Sequence, residues 1–333
     1  MTRVVVVAAL ALALLAAPLV TSAQPVGKVP RLGYLCTYPC GLPRDQAFVQ
    51  SLEALGYVNG RTITLVYPPY APYGPSDTHN LARLPEVAAG LVKQNVDVIF
   101  AAGGVLAAQA AQQATRTIPI VMAVSGDPVK LGLIASLARP GGNPTGITYL
   151  EDELVAKQIE LLKEVIPTLS RVGALVDSAD PALPQSLRHL GTVAHSLSLR
   201  LDVVQVRAPT NFEEEFATLS RGRSRAFVIM SSPTLYFQTS RIATLALRRR
   251  LAAVASFREF ADAGGLLAFG PKDQDVLRHA ASLIDKILKG ARPADLPVEQ
   301  PTRFELVVNL LAAKDLGLTI PPSVLARADE IIQ

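Results

Sequence analysis

The chain has 333 residues, 32 Lys and Arg against 28 Asp and Glu, and half of its residues are hydrophobic. A formal net charge of +4 is too small an excess to mark a nucleic-acid binder, which needs a basic stripe or interleaved aromatics. Two cysteines and four scattered histidines supply no zinc ligand set, so neither a metal nor a cofactor is expected.

Residues 1–23 carry Arg3 as their single charge, then an apolar run from Val4 to Leu15 that relaxes at Pro18. They close on Thr21-Ser22-Ala23, the small residues that signal peptidase requires, so a secretory signal cleaved near Ala23 is expected. The run is short for a bilayer span and Pro18 interrupts it, which argues against an anchor. No cysteine sits at the cut to carry a lipid, so the reading is a soluble exported chain, periplasmic or otherwise secreted. What remains suits two domains of ordinary size. In an oxidising compartment Cys36 and Cys40 fit either a small disulfide loop or two free thiols, because spacing does not fix geometry.

Downstream, short β-branched runs alternate with helical patterns. Strands are expected over 31–35, 62–67, 96–100 and 118–124, with helices over 45–55, 81–94 and 105–114 between them. Strands separated by helix-length segments imply right-handed βαβ crossovers and a parallel sheet covered on both faces. The pattern then restarts. A helix over 152–166, whose Val155, Ile159, Leu162 and Ile166 form one apolar stripe, leads into strands over 172–176, 201–206, 226–230 and 252–256. Helices over 184–197, up to Leu219 and over 235–250 separate those strands. Thr210 stands three residues before Glu213, a capping-box spacing. The basic clusters Arg221-Gly-Arg223-Ser-Arg225 and Arg248-Arg249-Arg250 fall at expected helix ends, where cations complement the helix dipole. A run over 266–269 and a helix over 275–289 follow. Two α/β lobes result, without a residue-level repeat.

Two such lobes enclose a cleft, and open parallel sheets bind ligands at the carboxyl ends of their strands. The residues there are Cys36-Thr37-Tyr38, Gly103-Gly104 and Ser125-Gly126-Asp127 in the first lobe. In the second they are Asp177-Ser178, Ser231-Ser232 with Tyr236 beyond, and Phe257-Arg258.

Several runs then resemble a known family. They include Ile118-Pro-Ile-Val-Met122, Gly126-Asp-Pro-Val129 and Leu133-Ile-Ala-Ser-Leu-Ala-Arg-Pro-Gly-Gly-Asn143 followed by Thr145-Gly146. Leu161-Leu-Lys-Glu-Val-Ile-Pro167, Phe257-Arg-Glu-Phe260 and Val298-Glu-Gln-Pro-Thr-Arg-Phe-Glu-Leu306 agree. So does Leu316-Gly-Leu-Thr-Ile-Pro-Pro-Ser-Val-Leu-Ala-Arg-Ala-Asp-Glu330. In order along the chain these are similar to substrate-binding proteins of ABC transporters, the group with tryptophan- and tyrosine-type binding proteins. The resemblance implies a type I periplasmic-binding-protein fold: two Rossmann-like lobes with parallel sheets joined by a three-crossover hinge. Crossovers are implied near 146–150, near 269–272 and within 296–304. The lobes would be 29–147 with about 271–297, and 148–270 with about 298–333. The chain departs from many relatives in carrying Val105-Leu106 where they have Thr-Pro, and in its two cysteines.

The candidate ligand-binding set is Thr37, Gly103, Gly104, Ser125, Asp127, Asp177, Tyr236, Phe257 and Arg258. Gly103 and Gly104 either let helix N-terminal N–H groups approach an anionic group or only permit a tight turn. Asp127 either accepts from a ligand amine or caps the turn ahead of Pro128. Tyr236 and Phe257 can enclose an apolar or aromatic body, against core packing as the plain alternative. Arg258 either forks onto a carboxylate or pairs within its own lobe. Asp177 fits a helix N-cap as well as the cleft. A ligand of amino-acid or related carboxylate type, a permease of the inner membrane as partner and a monomeric chain are expected. A receptor for a membrane signalling kinase is an alternative that the residues do not separate. A secreted α/β enzyme is a weaker one, since no phosphate loop, nucleophile elbow or complete dinucleotide fingerprint is present.

Overall fold

The computed structural model describes residues 28–37, 43–68, 81–149, 151–207, 212–222 and 224–333. The expected signal segment, Tyr38, Cys40 and Thr210 lie outside them.

Two sheets organise the chain. The first holds β1 (Arg31–Leu35), β2 (Thr64–Val66), β3 (Val98–Ala101), β4 (Ile120–Val124) and β5 (Pro144–Thr148). Their order is β2-β1-β3-β4-β5 with every pair parallel. Side chains alternate between two buried faces. Tyr34, Phe100 and Val121 join one cluster with α1 (Pro43–Glu53), while Ile99, Met122 and Val124 join the other with α2 (Leu84–Lys93) and α3 (Gly104–Ala114). Burial on both faces is why β3 and β4 read as unbroken apolar runs.

The second sheet contains β6 (Arg171–Asp177), β7 (Arg200–Val206), β8 (Ala226–Ile229), β9 (Ala252–Ala255), β10 (Leu267–Pro271), β11 (Phe304–Asn309) and β12 (Glu330–Ile332). Its order is β12-β11-β10-β9-β8-β6-β7, parallel except that β11 runs antiparallel to β10. On one face lie α4 (Glu151–Val165) and α5 (Leu183–Ser196) with Val172, Ala174 and Val228. On the other, α6 (Glu213–Arg221) and α8 (Thr239–Arg248) pack with Phe216, Phe227 and Ile229.

The chain passes between the sheets three times: from β5 into α4, from β10 into α10 (Asp273–Leu288), and from the 3₁₀ turn Pro293–Asp295 to β11. α10 returns to the first sheet, where Val276, Leu277, Ile284 and Ile287 enter the cluster around Tyr34. Two Rossmann-like lobes joined by a three-crossover hinge are thus the observed fold.

Several elements differ from expectation. The helix expected over 81–94 begins as a 3₁₀ turn, Leu81–Arg83, because Pro85 brings no N–H and suits the first turn of a new helix. The helix expected over 235–250 is two: α7 (Pro233–Phe237), capped by Ser232 Oγ accepting from Leu235 N at 3.1 Å, then α8. Glu213 opens α6 behind Phe212, which holds φ at +59°; its expected capping-box partner, Thr210, lies outside the described residues. Glu213 also pairs with Arg249 at 2.9 Å. The segment expected as a crossover from Gly146 is still strand β5, while β11 and β12 carried no expectation. Cys36 is disulfide-bonded, and Cys40 is the chain's one other cysteine.

Gly146 and Gly270 sit in the strands that feed the first two crossovers. A Cβ on Gly146, at φ +146°, would lie 2.0 Å from Met122 O, and one on Gly270 would lie 1.8 Å from Ser256 O. Backbone, not a movable side chain, occupies that space. Gly146→Ala is therefore expected to cost about 2–4 kcal/mol of stability. Chemical denaturation would check it, and a wild-type midpoint would contradict this account of the strand.

Candidate functional site

The carboxyl ends of both sheets face one chamber that opens to solvent. From the first lobe, Ala102, Gly104, Ala123 and Ser125 form its wall. From the second come Ser231, Ser232, Tyr236, Phe237, Ser256 and Phe257, and the crossovers contribute Tyr149, Pro271 and Asp273. The lobes touch around it. A Cβ on Gly126 would lie 2.9 Å from Ala182 Cβ, one on Gly104 would lie 3.7 Å from Pro233, and Phe237 packs onto the first lobe's cluster.

The aromatic part is built by α7. Ser232 caps this short helix, which sets Tyr236 and Phe237 side by side with ring centroids 5.1 Å apart at 81°. Phe257, just past β9, meets Tyr236 edge-on at 5.2 Å and 75°. Tyr236 OH donates to Glu259 Oε1 at 2.9 Å, so the ring's orientation is fixed from behind.

The polar part is built by strand ends. Gly104 opens α3 with φ at +70°, so the positive end of that helix dipole, with its unsatisfied N–H groups, borders the chamber. Ser231 Oγ donates to Ser256 Oγ at 3.1 Å. Among the described residues on the wall, Asp273 is the one charged side chain. A ligand carboxylate in this chamber would therefore meet helix N–H groups and hydroxyls, and a ligand amine would meet Asp273.

Of the residues expected from sequence, the fold gathers Gly104, Ser125, Tyr236 and Phe257 around the chamber, two from each lobe. Thr37 and Gly103 stand behind it. Thr37 is fully buried and its Oγ1 donates to Gly103 O at 3.3 Å, while a Cβ on Gly103 would lie 2.5 Å from the Thr37 side chain. Asp127 borders a second, more polar opening with Lys130, Glu153 and Gln185. Its Oδ1 accepts from Val129 N at 2.9 Å, as a turn-capping Asp does. Asp177 is not on the chamber wall; its Oδ1 accepts from Ala179 N at 2.9 Å. Arg258 turns away to Asp262 at 3.2 Å and Glu330 at 3.0 Å, pinning β12. Phe237, Ser256, Tyr149 and Asp273 were not singled out from sequence. Ser256 and Asp273 do follow the rule that points to strand ends and helix starts, whereas Tyr149 is placed by the path of the crossover.

Beside the contact of Ala182 with Gly126, Asp180 is raised to about 6: burial lifts it, the N–H of Ala182 opposes, and the charge of Asp177 adds. An acid raised in the folded state is stabilising when protonated, and that contribution is lost as pH rises from the unfolded value near 4 through 6. Asp180→Asn keeps an acceptor for Ala182 N without the charge. It should be more stable than wild type by about 1–3 kcal/mol at pH 7.5, the gap closing below pH 4. Thermal melts across pH would check this; a gap that does not change with pH would refute it.

Comparison with known proteins agrees with this fold. The chain is 25% identical over 289 residues to a tyrosine-binding protein of Clostridioides difficile (strain R20291), covering 86% of this chain and 80% of that one. The structure of the ABC domain from Streptococcus pneumonia in complex with L-Trp superposes with a TM-score of 0.78 at 24% identity, covering 91% of this chain and 99% of that one. A leucine binding protein, LivK, from Thermotoga maritima shares the fold with a TM-score of 0.59 at 12% identity, covering 86% and 87%. The architecture is that of a type I periplasmic binding protein. The family model described as ABC transporter substrate binding protein matches residues 46–332, and the chain belongs to that family.

Proposed function

We propose that this protein is the extracytoplasmic receptor of an ABC importer. It captures an amino acid or related small carboxylate between its lobes and presents it to a permease in the inner membrane. One observation carries the reading: a chamber at the carboxyl ends of two sheets, walled by Tyr236, Phe237 and Phe257 on one side and by the N-terminus of α3 on the other. An aromatic ring suits the first wall and a carboxylate the second. The relatives named for tyrosine and found with L-Trp support the same ligand class.

In this reading Gly104, Ser125, Tyr236 and Phe257 touch the ligand, joined by Ser231 and Ser256. Thr37 and Gly103 shape the turn beneath, and Asp127, Asp177 and Arg258 act outside the chamber. The lobes are 29–147 with about 271–297, and 148–270 with about 298–333, rotating about the crossovers. Ligand contacts to both lobes favour the closed arrangement, since a ligand shifts the equilibrium by its differential affinity. Residues 1–23 are removed on export, and the mature chain works as a monomer in the periplasm or outside the cell, without a chemical step. Among the described residues no helix is long and apolar enough to cross a membrane.

Titration calorimetry with L-tryptophan and L-tyrosine tests the site. Tyr236→Ala should weaken binding by about 10-fold or more, the loss of a principal aromatic contact, with little change in melting temperature. Arg258→Ala should do the reverse, lowering the melting temperature and leaving affinity intact. Wild-type affinity in Tyr236→Ala would remove the chamber from the account.

A further inference from the structure

A buried carboxylate stands at the first crossover. Glu151 opens α4 and is 5% exposed. Its backbone N–H donates to Ser125 O at 3.3 Å, at the end of β4. Its Oε1 accepts the backbone N–H of Ser231, at the end of β8. Ser125 and Ser231 line the chamber from opposite sheets, so one residue ties together the two strand ends between which the ligand would sit. Just ahead of it, Thr148 Oγ1 donates to Gly126 O at 2.9 Å, which holds the end of β5 against the same loop.

The polar path continues beneath the chamber. Ser231 Oγ donates to Ser256 Oγ at 3.1 Å. Gln158, on α4 and 2% exposed, donates from Nε2 to Ser256 Oγ at 3.0 Å and to Phe269 O at 2.8 Å. Phe269 lies in β10, the strand that leads into the second crossover. A hydrogen-bonded chain thus runs from Glu151 through Ser231, Ser256 and Gln158 to Phe269. It links two of the three crossovers, and two of its members are wall residues. Burying a carboxylate is costly unless its oxygens accept hydrogen bonds. An apolar side chain would fill the same space without that cost, but it would leave the N–H of Ser231 without its partner.

We propose that Glu151 is a positioning residue for the binding cleft, its carboxylate holding the first crossover and the Ser231 strand end in the geometry that closes on the ligand. Without it the pivot is loose in the free protein, and binding must order it. The proposal rests on the solute-receptor reading, and its test separates the two.

Wild type, Glu151→Leu and Glu151→Gln are compared by calorimetry with L-tryptophan and L-tyrosine and by hydrogen–deuterium exchange without ligand. Glu151→Leu should weaken binding by about 10-fold, the effect of one lost charge-assisted bond, and speed exchange at Ser231. Glu151→Gln, whose amide oxygen can accept the same N–H, should lie near wild type in both. Unchanged affinity and exchange in Glu151→Leu would overturn the proposal, as would equal losses in Leu and Gln. If Glu151→Leu does not fold, Gln158→Leu cuts the same chain one step further on. It should speed exchange across the 267–271 strand and weaken binding, and no change in either would overturn the proposal. If wild type binds neither amino acid, the assigned ligand class fails, and exchange at Ser231 decides the role of Glu151 by itself.

Discussion

At Gly146 and Gly270 the backbone of one strand lies so close to its neighbour that a side chain cannot be accommodated. Each of these strands runs directly into a crossover between the lobes. The two glycines thus keep the strands closely packed just where the chain leaves one sheet for the other. The chamber lies between the carboxyl ends of the two sheets. Neither lobe alone encloses it: one wall comes from the turn into α3 and the end of β4, the other from α7 and the ends of β8 and β9. Phe237, which packs onto the opposite lobe's core, shows how far the two halves share apolar contacts across the cleft.

The chemistry of the chamber follows from what occupies the strand ends. Parallel strands buried on both faces are apolar throughout, so polar groups enter where the strands stop. Here those groups are chiefly serines and helix N–H donors, with a carboxylate at the start of α10. Such donors can hold a carboxylate without the desolvation cost of a buried guanidinium. Arg258, one residue from the wall, instead directs its charge to Asp262 and Glu330.

Much of the fold was legible because the central strands are unbroken apolar runs: 98–101, 120–124, 226–229 and 252–255 each stood out. β5 was hidden by Pro144 and Gly146, residues that usually argue against a strand. At the edge of a sheet, however, a proline loses no ladder bond, and Gly146 is there because a larger residue would strike Met122. The location of the cleft was also legible, since it follows from topology. Which side chains face it was legible only in part: Gly104, Ser125, Tyr236 and Phe257 do line it. Asp127 and Asp177 sit at strand ends but turn their oxygens to the next turn's N–H groups, and a local turn competes for a short acidic side chain wherever it occurs. Glu151 and Gln158 could not be picked out, because their partners lie 80 and 98 positions away in sequence.

The central claim is that the chain binds a small solute between its lobes and leaves it unchanged. A thermal-shift screen of residues 24–333 against amino acids, aromatic acids and other small carboxylates tests it most directly. With no tryptophan in the chain, an extrinsic dye is the suitable probe. A ligand at a hundred times its dissociation constant should add about 2.7 kcal/mol of stability, and mass spectrometry should recover it intact. Stabilisation by one class of amino acid, with the solute returned unaltered, is the predicted result; conversion of the solute to a product, or no stabilisation by any member of the panel, would contradict the account.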